Sequence, residues 1–102
     1  MIMAEKKKPT YDLEAFKADF GSTDSLNVTG AAMRSAAALG FGRAEIAATI
    51  QTMERQHFYK SMTSYADHRV WQDVYFVPSE VGTLYVKFTA NLLLSFKERE
   101  ND

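Results

Sequence analysis

Lys60, Lys97, Gln72 and Tyr85 are of types that could cleave RNA. RNA carries its own nucleophile, the 2′-hydroxyl. Cleavage needs no metal if one side chain removes that proton, cations hold the phosphorane, and an acid protonates the leaving 5′-oxygen. His68 is a fifth residue of suitable type. A metal-dependent nuclease would need converging carboxylates or histidines. Asp67, His68 and Asp73 are scattered, and no H-x-x-x-H or D-x-D spacing occurs. No metal ligand set and no cofactor are expected.

The stretch Phe58–Tyr75, FYKSMTSYADHRVWQDVY, surrounds two of these residues with aromatic rings and basic groups. Aromatic faces stack on bases, and lysine or arginine meets phosphate. Tyr59, Met62, His68 and Lys87 are the further candidates for RNA contact. Each residue also has a plain reading. Lys60 would be a solvated lysine, Tyr85 a cover for a sheet, and His68 a turn residue. His57 would be a surface histidine, Trp71 a core anchor and Met62 a gap filler.

Elements must position these groups, and the chain divides cleanly. Tyr11–Phe20 places Leu13, Phe16 and Phe20 on one helical stripe, stopped at Gly21. Ser25–Thr29 is short and β-prone. Thr29 can cap an alanine-rich helix that ends at Gly40. A further helix after Gly42 aligns Ile46, Ile50 and Met53. Then the period changes. Val70–Val77 is valine-rich and aromatic and stops at Pro78, which predicts a strand. Glu80–Thr83 is a turn. In Leu84–Thr89, Leu84, Val86 and Phe88 alternate with Tyr85, Lys87 and Thr89. In Leu92–Lys97, Leu92, Leu94 and Phe96 alternate with Leu93, Ser95 and Lys97.

The expectation is an α+β fold, a small antiparallel sheet with N-terminal helices packed on one face. With the apolar sets inward, Tyr85 and Lys97 share the outward face of neighbouring strands. Gln72 lies between two valines. It either hydrogen-bonds a neighbouring backbone or points into a cleft, and the pattern does not decide between them.

The chain has 102 residues, 46% hydrophobic and 25% charged, which fits one globular domain. We expect a disordered leader over residues 1–10, a single domain over 11–98 and a tail over 99–102. The absence of cysteine suits a reducing cytosol and excludes thiolate zinc. No signal peptide and no bilayer-spanning run is expected, so the location is read as cytoplasmic. Net charge is −1. Phosphate contact must therefore come from a local cluster.

FYKSMT, Tyr65, Asp67-His68, WQDVY, Gly82, Tyr85, Lys87 and Ser95–Glu98 together resemble the signature of the MqsR family, the toxin half of a bacterial toxin–antitoxin pair. The resemblance implies a RelE-like ribonuclease toxin fold. It implies a sequence-selective mRNA endoribonuclease favouring GCU sites and working without the ribosome. It implies a cognate zinc-binding antitoxin of the MqsA type, which would mediate indirect contact with operator DNA. The family's active-site residues match Lys60 in FYKS, Gln72 in WQDVY, Tyr85 in G-x-x-Y and Lys97 in SFKE. Two features depart from the pattern. The net charge is lower, and the Phe88–Leu92 connection is shorter than the family's hairpin, with Ala90-Asn91 a poor type I′ pair.

Two other readings compete. One is a silent binding module using Trp71, Tyr75 and Phe76 as protein-interface anchors. The other is a ribosome-dependent nuclease of the same fold.

Overall fold

Phe16 and Phe88 lie face to face at 3.7 Å, and that stack joins the helical layer to the sheet. The computed structural model describes residues 4–100. Phe16 belongs to α1 (Leu13–Asp19), whose N-cap Asp12 accepts from the Glu14 N–H. Helix α2 (Gly30–Ala38) is capped by Thr29, whose hydroxyl accepts from the Ala32 N–H at 3.1 Å. Gly40, at φ +85°, provides the left-handed turn into α3 (Arg43–Gln51). The apolar stripes predicted for α1 and α3 are buried, Leu13, Phe16 and Phe20 on one and Ile46, Ile50 and the following Met53 on the other, and α2 buries Ala32 and Ala36.

Five strands form one sheet in the order β1-β2-β3-β4-β5, all neighbours antiparallel: β1 (Glu5–Lys6), β2 (Phe58–Thr63), β3 (Trp71–Ser79), β4 (Gly82–Thr89) and β5 (Leu92–Glu98). Tyr75, Val77, Leu84, Val86, Phe88, Leu93 and Phe96 face the helices and complete the core. Burying such apolar surface contributes about 25 cal/mol per Å². The opposite face carries no helix and stays open.

Three expectations need correction. First, residues 5–10 are not a disordered leader. Glu5–Lys6 pair with Met62 and Ser61. The Asp73 carboxylate, fully buried, accepts from the N–H groups of Thr10 and Tyr11 at 2.9–3.1 Å. A buried carboxylate needs such donors, so Asp73 ties the N-terminal strand and α1 to the sheet. The leader's first three residues and the tail's last two lie outside the described residues. Within the tail, the Arg99 N–H still donates to the Thr83 carbonyl at 2.8 Å.

Second, Ser25–Thr29 is not a regular strand. Thr23–Ser25 is a 3₁₀ turn, and Val28 then makes a single parallel bridge to Leu93 along the outer edge of β5.

Third, β5 does not alternate evenly. Lys87 pairs with Ser95 but Phe88 pairs with Leu93, so Leu94 is the extra residue of a β-bulge. The bulge turns Leu93 rather than Leu94 into the core, while Phe96 stays inward. The short connection closes as a two-residue turn over Ala90 and Asn91, with Ala90 at φ +49°.

Candidate functional site

The open face is built in rows by the pairing register. Phe76 of β3 stands opposite Tyr85 of β4, which stands opposite Lys97 of β5. In the next row Lys60 is opposite Val74, Val74 opposite Lys87, and Lys87 opposite Ser95. In a third row Glu5 meets Met62, and Met62 meets Gln72. Val74 is fully buried although no helix covers it. Lys60 and Lys87 flank it on the neighbouring strands.

The four residues predicted to act together therefore share one face, but they do not form a single point. Tyr85 and Lys97 are a cross-strand pair, with the Lys97 ammonium 5.4 Å from the Tyr85 ring centre. Lys60 is one row away. Gln72 is four residues along β3 from Phe76, a rise of roughly 13 Å. The Gln72 side chain has no hydrogen-bond partner among the described residues. That answers the question its sequence position raised: it does not cap a neighbouring backbone.

The charge state of the site follows from burial and neighbours. The Tyr85 phenol is pushed up from its ordinary value by burial; the nearby Lys60 opposes this without overcoming it, and Tyr59 adds to it. A phenol held above its ordinary value keeps its proton at neutral pH and can donate it. The Lys87 ammonium is pulled below the usual lysine value, first by burial and then by Lys97. Lys60 is held above it by a 2.7 Å hydrogen bond to the Glu5 carboxylate, and Glu5 is lowered in turn by the same contact.

Of the further candidates, Tyr59, Met62 and Lys87 are on this face. Tyr59 occupies the bulge in β2 and stacks on Phe76 at 4.5 Å. His68 is not on it; it is exposed in the loop between β2 and β3. His57 is half-buried and accepts from the Glu54 N–H through Nδ1. Trp71 is only partly buried, with the Lys6 ammonium 4.2 Å over its ring. No group of three or more His, Asp or Glu side chains converges among the described residues, and none of their helices is long and apolar enough to cross a membrane.

Residues 8–98 match the family model described as the motility quorum-sensing regulator, toxin of MqsA. The chain belongs to this family. It is similar to the mRNA interferase toxin MqsR of Escherichia coli (strain K12), with 35% identity over 98 residues, covering 93% of this chain and 99% of the relative.

Sequence reasoning missed three residues of this face. Glu5 was hidden in a lysine-rich segment taken as leader, and only the β1–β2 pairing brings it to Lys60. Arg99 was assigned to the tail, yet its guanidinium sits 4.2 Å over the Phe76 ring. Phe76 was read as a protein-interface anchor. Alternation along β3 puts it on the face of Gln72, and only the β3–β4 register sets it beside Tyr85.

Proposed function

We propose that this chain is a toxin endoribonuclease that cuts free mRNA through the RNA's own 2′-hydroxyl, without a metal and without the ribosome. The observation that carries this reading is the Tyr85–Lys97 pair, one row from Lys60 and Lys87, on a sheet face left bare by the helices. Family membership supports it, and so does the name of the Escherichia coli relative, an mRNA interferase toxin. The arrangement suits a RelE-like ribonuclease fold, in which a small sheet exposes one face to RNA.

Lys60 and Lys97 place two cations where a phosphate on this face develops charge. The protonated Tyr85 donates its proton to the leaving 5′-oxygen. Lys87 accepts the proton of the attacking 2′-hydroxyl when in its neutral form, which burial and Lys97 make easier to reach than for an ordinary lysine. The 2′-oxygen bonds to phosphorus, the P–O5′ bond breaks, and the products are a 2′,3′-cyclic phosphate and a 5′-hydroxyl. Gln72 holds a neighbouring phosphate or base edge further along the strand. GCU preference, a zinc-binding antitoxin of the MqsA type, operator contact through that antitoxin and action in the cytosol complete the reading.

Purified protein should cleave naked mRNA in EDTA and leave those two end groups. Activity abolished by EDTA and restored by magnesium would contradict the mechanism. Lys87→Arg keeps the charge but cannot give up a proton. It should retain RNA affinity while cutting the rate by roughly 10²-fold or more, the scale of a lost general base. Unchanged turnover would remove Lys87 from that role. In cells, expression alone should arrest growth, and co-expression of the antitoxin should restore it; normal growth at high soluble expression would count against a toxin.

A further inference from the structure

Phe76 is an aromatic side chain with no core to serve. It projects from the open face, opposite to its neighbours Tyr75 and Val77, which are buried beneath the helices. Three groups gather on it. Tyr59 stacks at 4.5 Å with planes 24° apart, Tyr85 lies tilted at 6.1 Å, and the Arg99 guanidinium sits at 4.2 Å. With Lys97 and Glu100 they line a cleft of about 250 Å³. Tyr59 is 40% exposed, among the most exposed large hydrophobic residues described. The Arg99 backbone is anchored to Thr83, but its side chain makes no hydrogen bond among the described residues, so its planar fork of donors is available.

We propose that this cleft is a nucleobase subsite. One unpaired base of single-stranded RNA stacks on the Tyr59–Phe76 platform by displacing the Arg99 guanidinium from the Phe76 ring, and Arg99 then closes over the base. The inference rests on the RNA-cleaving reading of the same face and adds what that reading lacks, a means of fixing the nucleotide beside the reacting phosphate. Tyr85 belongs to both: its ring lines the cleft and its hydroxyl serves the row with Lys97. A base stacked there is held against the residue that protonates the leaving oxygen. Stacking tolerates any base, while an arginine fork over the base edge can discriminate among them.

A short, uniformly 2′-O-methylated oligonucleotide carrying 2-aminopurine tests this, because it binds but has no nucleophile. With wild-type protein the fluorophore should be quenched at one position along the strand. Phe76→Leu and Tyr59→Leu should bind roughly 10-fold or more weakly, the scale of one lost base–aromatic stack, and should lose the quenching. Phe76→Tyr should retain both. Thermal melting would show that the variants are folded, which their position on the open face favours.

Failure of the subsite is distinguishable from failure of the cleavage reading. If wild type cuts unmodified RNA and folded Phe76→Leu shows the same affinity, quenching and KM, the subsite is wrong and the cleavage reading stands. If wild type quenches the probe but never cuts unmodified RNA, the cleavage reading falls and the subsite stands. No quenching at any position, or platform variants that lose antitoxin binding while keeping RNA binding, would overturn the proposal.

Discussion

On the proposed reading Lys60 would meet RNA already paired, because the Glu5 carboxylate holds its ammonium at 2.7 Å. Both groups lie near the surface, so the contact is weak in water and is readily exchanged. A phosphate arriving at Lys60 competes with the Glu5 carboxylate for the same ammonium. Glu5→Gln should therefore tighten RNA binding by up to about five-fold at low salt, the scale of an exposed ion pair. It should also return the Lys60 titration toward the ordinary lysine value, followed by NMR of the Nζ-attached methylene. Weaker RNA binding by Glu5→Gln would instead make Glu5 a group that orients Lys60 for the reaction. At this scale the sequence showed side-chain types well and partners poorly. Lys60, Tyr85 and Lys97 could be picked out as suitable cations and proton carrier. Nothing local to Glu5, Arg99 or Phe76 says that they share a face with them, because those contacts depend on strand register and on a terminal segment folding back.

At the scale of elements, the helices were legible because caps and stripes are local. Thr29, Gly40 and Gly42 punctuate α2 and α3 much as their chemistry requires. The last hairpin was less so. Strict alternation predicts Leu94 inward, and the bulge there reverses it. A bulge adds one residue without a sequence mark, and the burial of three consecutive leucines fits either register. The row of Tyr85 and Lys97 lies on the far side of the bulge from the turn, so the outward placement of Lys97 follows from Phe96 alone. The turn itself carries strain. Ala90 sits at φ +49°, a region costing an L-residue about 1–2 kcal/mol. Ala90→Gly should raise stability by about 0.5–1 kcal/mol after its own entropic cost, seen as a higher urea midpoint at unchanged m-value. A loss of stability would mean that the turn gains more from the alanine's restricted unfolded chain than it loses to strain.

Taken whole, the molecule divides its labour between two faces of one sheet. The helices cover one face, where Phe16, Phe88 and Tyr75 form a continuous aromatic seam. The division was foreseeable from the change of period after His57. The seam was not, because it joins residues far apart in the chain. Tyr75 is fully buried there, and its hydroxyl has no hydrogen-bond partner among the described residues. Burial pushes this phenol up to about 12, with Asp73 adding to the effect. Its folded value therefore exceeds its unfolded value of 10.0. Its contribution to stability is complete below pH 10 and is lost as pH rises toward about 12. Denaturation across that window should be less steep in Tyr75→Phe, which has no proton to lose; identical alkaline profiles would show that the hydroxyl finds a partner. On the other face the net charge of −1 is no obstacle, since Lys60, Lys87, Lys97 and Arg99 gather where RNA would lie.

The central claim is that this bare face cleaves RNA with Tyr85 and Lys97 as a working pair. Cleavage of naked mRNA by wild type, Lys97→Ala and Tyr85→Phe, with folding monitored alongside, tests it most directly. Both side chains lie on the open face, so each substitution should shift stability by only about 0.5 kcal/mol. Each should slow cleavage by roughly 10²–10³, the effect of losing one transition-state donor or proton carrier, whereas His68→Ala, out in its loop, should cost less than either. A folded Lys97→Ala protein that cuts naked mRNA at the wild-type rate would contradict the account.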